Sequence, residues 1–218
     1  MQICGVYMNE YSFLSNGYDL LDKVWFSDKG KNPRDVIKSL IPNEECTVLD
    51  MCCGTFSNGL FLALQNSKNH VVGLDRSESM LREAKAKVDD AQLQNVELIY
   101  GDATKTGFCE GSFDYVILGL VLHECTADLW TSILGEVRRV LKPDGKLIVL
   151  EWDKQSSVGR KIKFAPLYAA EIMGNYTYFK QFFYGDRQAF FLKHGFQAIK
   201  SIACNYTYVM MLGKDRAR

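Results

Sequence analysis

The segment from Thr47 to Leu64 limits this chain more than any other. A short apolar run, Thr47-Val48-Leu49, reaches the acidic Asp50. The chain then passes through Cys52, Cys53, Gly54 and Thr55, and Leu60, Phe61, Leu62 and Leu64 open a helical pattern. A buried strand, a tight turn and a helix fit that order. Such a turn presents backbone N–H groups at a helix N-terminus, where a ligand can lie against them. Small side chains there keep the backbone approachable.

The same alternation repeats down the chain. His70 to Leu74 reads as a strand ending in Asp75, with Ser77 capping a helix that opens on Glu78 and carries Met80, Leu81, Ala84 and Val88 on one face. Val96 to Tyr100 is a third strand, followed by Gly101-Asp102-Ala103, and Phe113 to Leu118 is a fourth. A helix is expected over Leu129 to Leu141, a turn at Pro143-Asp144-Gly145, and a fifth strand from Lys146 to Trp152. Repeated β-α-β units imply an α/β fold, a parallel sheet with helices on both faces. Two short helices are expected between Tyr11 and Leu40, the second with Asn32 as cap and Pro33 in its first turn. Beyond Ser156 the pattern changes to two aromatic-rich helices, closed by Lys193-His194-Gly195. Two strands follow, Phe196 to Cys204 and Tyr206 to Leu212; they are too close in sequence for a helical crossover and should pair antiparallel.

The chain has 218 residues, which fits one domain, and a formal net charge of zero, which gives no global nucleic-acid footprint. Its seven cysteines form no CxxC pair and no Cys/His cluster at zinc spacing, so no metal site is expected. They read as reduced thiols of a cytoplasmic protein. Met1 to Glu10 lacks the pattern of a secretory leader, and no apolar run is long enough to span a bilayer.

Asp50, Asp75 and Asp102 each stand at the end of a successive strand, and in a doubly wound sheet those ends line one crevice. Asp75 is placed to accept hydrogen bonds from a ribose diol. Asp102, with the Ala103 backbone, is placed to read an adenine edge. An adenosine-containing cofactor fits this set. A nicotinamide dehydrogenase needs Gly-x-Gly-x-x-Gly, and Cys52, Gly54 and Asn58/Gly59 do not supply that register.

At this point the chain resembles the class I S-adenosylmethionine-dependent methyltransferases, most nearly the ubiquinone/menaquinone biosynthesis C-methyltransferases and related small-molecule enzymes. The likeness rests on Tyr18-Asp19-Leu20-Leu21, VLDMCCGT at Val48–Thr55, VVGLDRSESMLREAKAK at Val71–Lys87, GDAT at Gly101–Thr104, FDYVILGLVLHE at Phe113–Glu124, and RRVLKPDGKLIVLEW at Arg138–Trp152. It implies a Rossmann-like, doubly wound, seven-stranded, mostly parallel sheet with an antiparallel last strand. It implies one domain over residues 1–218: lid helices at 1–44, a cofactor-binding core at 45–153, an aromatic helical insertion at 154–195 and a closing strand pair at 196–213. The cofactor implied is S-adenosyl-L-methionine, with S-adenosyl-L-homocysteine as product. Thr55 and the Cys53-Gly54 backbone would touch its methionine part, with Asp50 and Cys52 in the same turn. Asp75 would hold the ribose, with Arg76 beside it. Asp102, Ala103 and Met80 would border the adenine, and Gly119 would lie under the sulfonium. The family's turn reads acidic-x-Gly-x-Gly-x-Gly, whereas here Cys52 and Phe56 replace the first and third glycines. Phe56 either points into the core or narrows the pocket; if it blocks the site, the alternative is a non-catalytic methyltransferase-like binding domain.

His123, with Glu124 beside it, is the best-placed acid–base candidate, since histidine titrates near neutrality. The matching stretch of the quinone enzymes carries different polar residues, so this role rests on position alone. Glu151 and Asp153 are second choices. Tyr7, Tyr11 and Tyr18 could close over the site from the N-terminal helices. The aromatic stretch from Phe164 to Phe191 either walls an apolar acceptor pocket or is ordinary core. The acceptor expected is a small or lipid-like apolar molecule, such as a quinone precursor, with a phospholipid amine as runner-up. Lys154, Arg160, Lys161 and Lys163 read as a solvated helix face or as a peripheral contact for anionic lipid.

Overall fold

The computed structural model describes residues 32–215, and the backbone only of residues 170–176. The first expected lid helix, with Tyr7, Tyr11 and Tyr18, lies outside the described residues. The second is α1 (Pro33–Leu40), where Asn32 accepts a hydrogen bond from the Arg34 N–H and Pro33 occupies the first turn.

The strands are β1 (Thr47–Met51), β2 (His70–Asp75), β3 (Val96–Tyr100), β4 (Phe113–Gly119), β5 (Leu141–Trp152), β6 (Phe196–Ala203) and β7 (Thr207–Lys214). They form one seven-stranded sheet in the order β3-β2-β1-β4-β5-β7-β6. β1 to β5 pair in parallel, and β7 runs antiparallel between β5 and β6. The strand order reverses between β1 and β4, which is where open α/β sheets place a ligand. The connecting helices are α2 (Ser57–Gln65), α3 (Glu78–Asp90) and α4 (Ala127–Val140).

Alternation along the strands divides the core. Leu49, Val72, Val116 and Val149 face Leu134 and Val137 of α4 on one side. Val48, Val71, Ile117 and Ile148 face Ile37, Leu62 and Ala84 of the first three helices on the other. A strand buried on both faces has no polar alternation to display, which is why these segments read as short continuous apolar runs.

One boundary differs in detail from expectation, while the aromatic stretch holds the two expected helices. β5 begins at Leu141, which pairs with Phe113, and rejoins the ladder at Lys146, which pairs with Tyr115. Pro143-Asp144-Gly145 is therefore an excursion within a strand rather than a turn ahead of it. The aromatic insertion is one long helix, α5 (Val158–Tyr184), followed by the short α6 (Arg187–Lys193). Asp186 separates them, its carboxylate capping the Gln188 and Ala189 N–H groups. Gly195 ends the pair at φ 80°, a conformation in which a Cβ is disfavoured.

Candidate active site

The turn after β1 is built from alternating left-handed residues: Cys52 at φ 60°, Gly54 at φ 52° and Phe56 at φ 61°. All three are positions that favour glycine, yet only one is glycine. Carboxylates at two strand ends hold the turn. Asp75 accepts from the Gly54 N–H at 2.8 Å and the Ser77 N–H at 2.9 Å. Asp50 accepts from the Gly59 N–H at 2.9 Å. Asp50 is buried, and that burial pushes its carboxyl up to about 7, partly offset by the Gly59 hydrogen bond. Burial likewise pushes both the Cys52 and Cys53 thiols well above their usual range, so they stay protonated near neutrality.

Phe56 points into the core. Its ring is fully buried and lies between α2 and β2. A Cβ on Gly59 would stand 2.0 Å from that ring, and one on Gly73 would stand 2.7 Å from it. The glycine lost at position 56 is thus matched by two glycines that make room for its side chain. Beside Gly54 a Cβ would meet nothing within 4 Å, so the turn keeps an open face.

The other expected cofactor contacts are spread along the same edge of the sheet. The Thr55 hydroxyl accepts from the Lys87 ammonium of α3 at 2.9 Å. Arg76 is exposed, and Met80 is buried on the inner face of α3. Asp102 closes its own loop, accepting from the Thr104 N–H and hydroxyl at 2.8 Å each, while Ala103 packs into the core. Gly119 ends β4 against Asn58, whose carboxamide nitrogen stands 2.5 Å from where a Gly119 Cβ would be. The Asn58 Oδ1 is buried and has no hydrogen-bond partner among the described residues. Sequence reasoning passed over Asn58, because a polar residue in a first helical turn carries no signal of its own.

The fourth strand leads to a second constellation. Leu120 turns the chain at φ 56° into a short 3₁₀ segment, Leu122–Glu124. The N–H groups of Val121, Leu122 and His123 converge on Glu151 Oε1 at 3.1, 2.7 and 3.4 Å, and Glu151 Oε2 lies 2.6 Å from His123 Nδ1. His123 and Glu151 are both buried, and Phe179 of α5 meets the imidazole edge-on at 5.6 Å. The Trp130 indole N–H braces the segment through the Leu122 carbonyl at 2.7 Å. With three backbone N–H groups already donating to Glu151 Oε1, the arrangement suits an Nδ1–H that donates to Oε2, the tautomer that leaves Nε2 as the basic nitrogen. Glu124 stands 3.9 Å from Nε2 and is far more exposed. The carboxylate that orients His123 therefore comes from the next strand rather than from the next residue.

Over this end of the sheet, Trp152, Phe164, Phe179, Phe183 and Tyr206 form an aromatic cluster. Phe164 stacks on Tyr206 at 6.0 Å and on Phe183 at 6.2 Å between ring centres.

Comparison with known proteins agrees with this architecture. Residues 48–145 match the family model described as "Methyltransferase domain". The chain is 36% identical over 150 residues to the demethylmenaquinone methyltransferase of Listeria welshimeri, covering 68% of this chain and 63% of that protein. It is 35% identical over 148 residues to the Bacillus cereus protein of the same name, covering 67% and 62%. The matches thus span about three fifths of the length of these relatives. Among solved structures it is similar to a SAM dependent methyltransferase from Aquifex aeolicus, with TM-score 0.65, 19% identity and coverage of 91% of this chain and 97% of that one. It is also similar to a putative O-methyltransferase from Nostoc punctiforme, with TM-score 0.68, 20% identity and coverage of 94% and 60%.

Proposed function

We propose that this chain, which belongs to the class I S-adenosylmethionine-dependent methyltransferases, methylates a small, lipid-like aromatic acceptor of the quinone-precursor kind. The observation that carries the reading is the 36% identity to a demethylmenaquinone methyltransferase. The site is chemically consistent with it.

S-adenosylmethionine, when bound, supplies an electrophilic methyl group on a sulfonium. The residues present suit such a ligand: Gly54 offers an uncluttered backbone, Asp75 a carboxylate at the strand end, and Asn58 a buried oxygen with unmet hydrogen-bonding capacity. Asp75 and the Cys52–Thr55 turn would hold the cofactor, with Asp102, Ala103 and Met80 bordering the adenine and Gly119 beneath the reacting end. Asp50 serves this turn from behind by fixing the start of α2. Phe56, the residue that would have argued for a blocked, non-catalytic domain, lies in the core.

His123 is the residue to take a proton from the acceptor, and Glu151 positions it. As a ring hydroxyl loses its proton, its oxygen, or the unsubstituted ring carbon next to the one that bears it, becomes a competent nucleophile; methylation at that carbon ends with loss of its own C–H proton, which restores the ring. The remaining acceleration comes from holding acceptor and methyl donor in line. Phe179 already lies against His123, and the aromatic rings around it suit a flat apolar acceptor.

The deciding experiment incubates the protein with S-adenosylmethionine and a reduced short-chain demethylmenaquinone. Stoichiometric S-adenosylhomocysteine and methylated quinone are expected. Binding of the cofactor without release of S-adenosylhomocysteine for any reduced quinone would overturn the acceptor assignment. Absence of cofactor binding would overturn the enzymatic reading.

A further inference from the structure

Helix α5 is apolar on two opposite sides. Its inner side carries Phe164, buried against Trp152, Phe183 and Tyr206. On its outer side Val158 is 73% exposed and Ile162 is 68% exposed, and Ala165, Pro166 and Ala169 are exposed as well. At about 100° per residue these five fall within a sector of about 100°, roughly opposite Phe164. Lys161 and Lys163, both exposed, fall on either side of that stripe, and exposed Lys154 precedes the helix. From Lys154 to Ala170 the chain has four basic residues, counting Arg160, and no acidic one, in a protein whose net charge is zero.

We infer that the first three turns of α5 are a membrane-docking surface that lies on an anionic lipid bilayer. Val158 and Ile162 enter the headgroup–acyl boundary, and Lys161 and Lys163 meet lipid phosphates on both flanks. A convex aliphatic stripe bordered by lysines on both sides is the pattern of an interfacial helix. A core-facing helix would have its outer side polar. Arg160 is committed elsewhere: its guanidinium bonds the Asn205 carbonyl at 3.0 Å and side-chain oxygen at 2.9 Å, which ties the helix to the β6–β7 turn. The docking helix is therefore anchored to the body. No helix among the described residues is long and apolar enough to cross a membrane, so this contact is peripheral. Resting on the proposed acceptor, a consequence follows for delivery. The aromatic cluster is separated from the bilayer by about one helix diameter, roughly 10 Å, so a lipid-like acceptor could reach the site without crossing bulk water.

The test is sedimentation of the intact protein with vesicles of phosphatidylcholine alone, and with about one third phosphatidylglycerol. No cofactor or acceptor is added, so the outcome is independent of methyl transfer. Binding is expected to the anionic vesicles, to weaken in high salt, and to be slight on phosphatidylcholine. Lys161→Gln/Lys163→Gln should lower partitioning about 25-fold, at about fivefold per lysine. Ile162→Asp should abolish partitioning while leaving thermal unfolding and cofactor affinity at wild-type values. Vesicle binding that both variants retain in full, or no binding to anionic vesicles at all, would overturn the assignment.

Discussion

Phe56 offers the sharpest test of the turn, because it sets two effects of known size against each other. Phe56→Ala removes a fully buried ring from between Gly59 and Gly73 and should destabilise by about 3–5 kcal/mol. Phe56→Gly removes still more, and in an ordinary position glycine would be worse than alanine by about 0.5–1 kcal/mol. Here the backbone sits at φ 61°, which costs a residue with a Cβ about 1–2 kcal/mol. After about 0.4–1 kcal/mol for the extra freedom of glycine in the unfolded chain, Phe56→Gly should be more stable than Phe56→Ala by roughly 0.5–1 kcal/mol. For a domain of this size that is about 1–4 °C in Tm. Urea unfolding with a shared m-value would read the difference. Cofactor affinity should change little in either variant, since the ring faces the core. Glycine less stable than alanine at this position would refute the strain argument. A cost below about 1 kcal/mol for alanine would refute the packing argument.

Four further outcomes follow. Gly59→Ala, which drives a methyl to within 2.0 Å of the ring, should destabilise by about 1–3 kcal/mol or more, and much less in a Phe56→Ala background; a double-mutant cycle in urea reads the coupling. Asp50 has a folded pKa of about 7 against 3.8 for the free side chain, so its contribution is full below about pH 4 and is lost as pH rises through about 7. Asp50→Asn, which can still accept from Gly59, should therefore stabilise the protein at pH 8 by on the order of a few kcal/mol and flatten its pH–stability curve; an unchanged curve would show that Asp50 is not protonated in the fold. Glu151→Gln should cost about 2–3 kcal/mol in chemical denaturation and depress methyl transfer, because the amide has one acceptor oxygen where the carboxyl group offers one to three backbone N–H groups and another to His123, whereas Glu124→Gln should stay within about 0.5 kcal/mol. Asp75→Ala should weaken S-adenosylmethionine binding more than about tenfold, or 1.4 kcal/mol, in calorimetric titration; equal affinity would place the ribose elsewhere.

The elements and their succession along the chain are written in local patterns. Strand segments buried on both faces are written as short apolar runs, and helices as 3.6-residue patterns with Ser77, Asn32 and Gly195 at their ends, so local chemistry placed β1 to β5 and the antiparallel close. What the unusual residues do depends instead on packing between elements distant in sequence. Sequence alone left open whether Phe56 enters the core or narrows the pocket, because its accommodating glycines are three residues away in one case and seventeen in the other, and only packing joins them. Glu124 was the natural partner for His123 by adjacency, but hydrogen bonding depends on distance in space, and parallel pairing of β4 with β5 brings Glu151 to 2.6 Å across an interval of 28 residues. Asn58 could not be singled out at all, since its place against Gly119 exists only once α2 is laid beside the end of β4. Periodicity records how each element meets the core, whereas the contacts that build a site join separate elements and become visible only when the sheet is assembled.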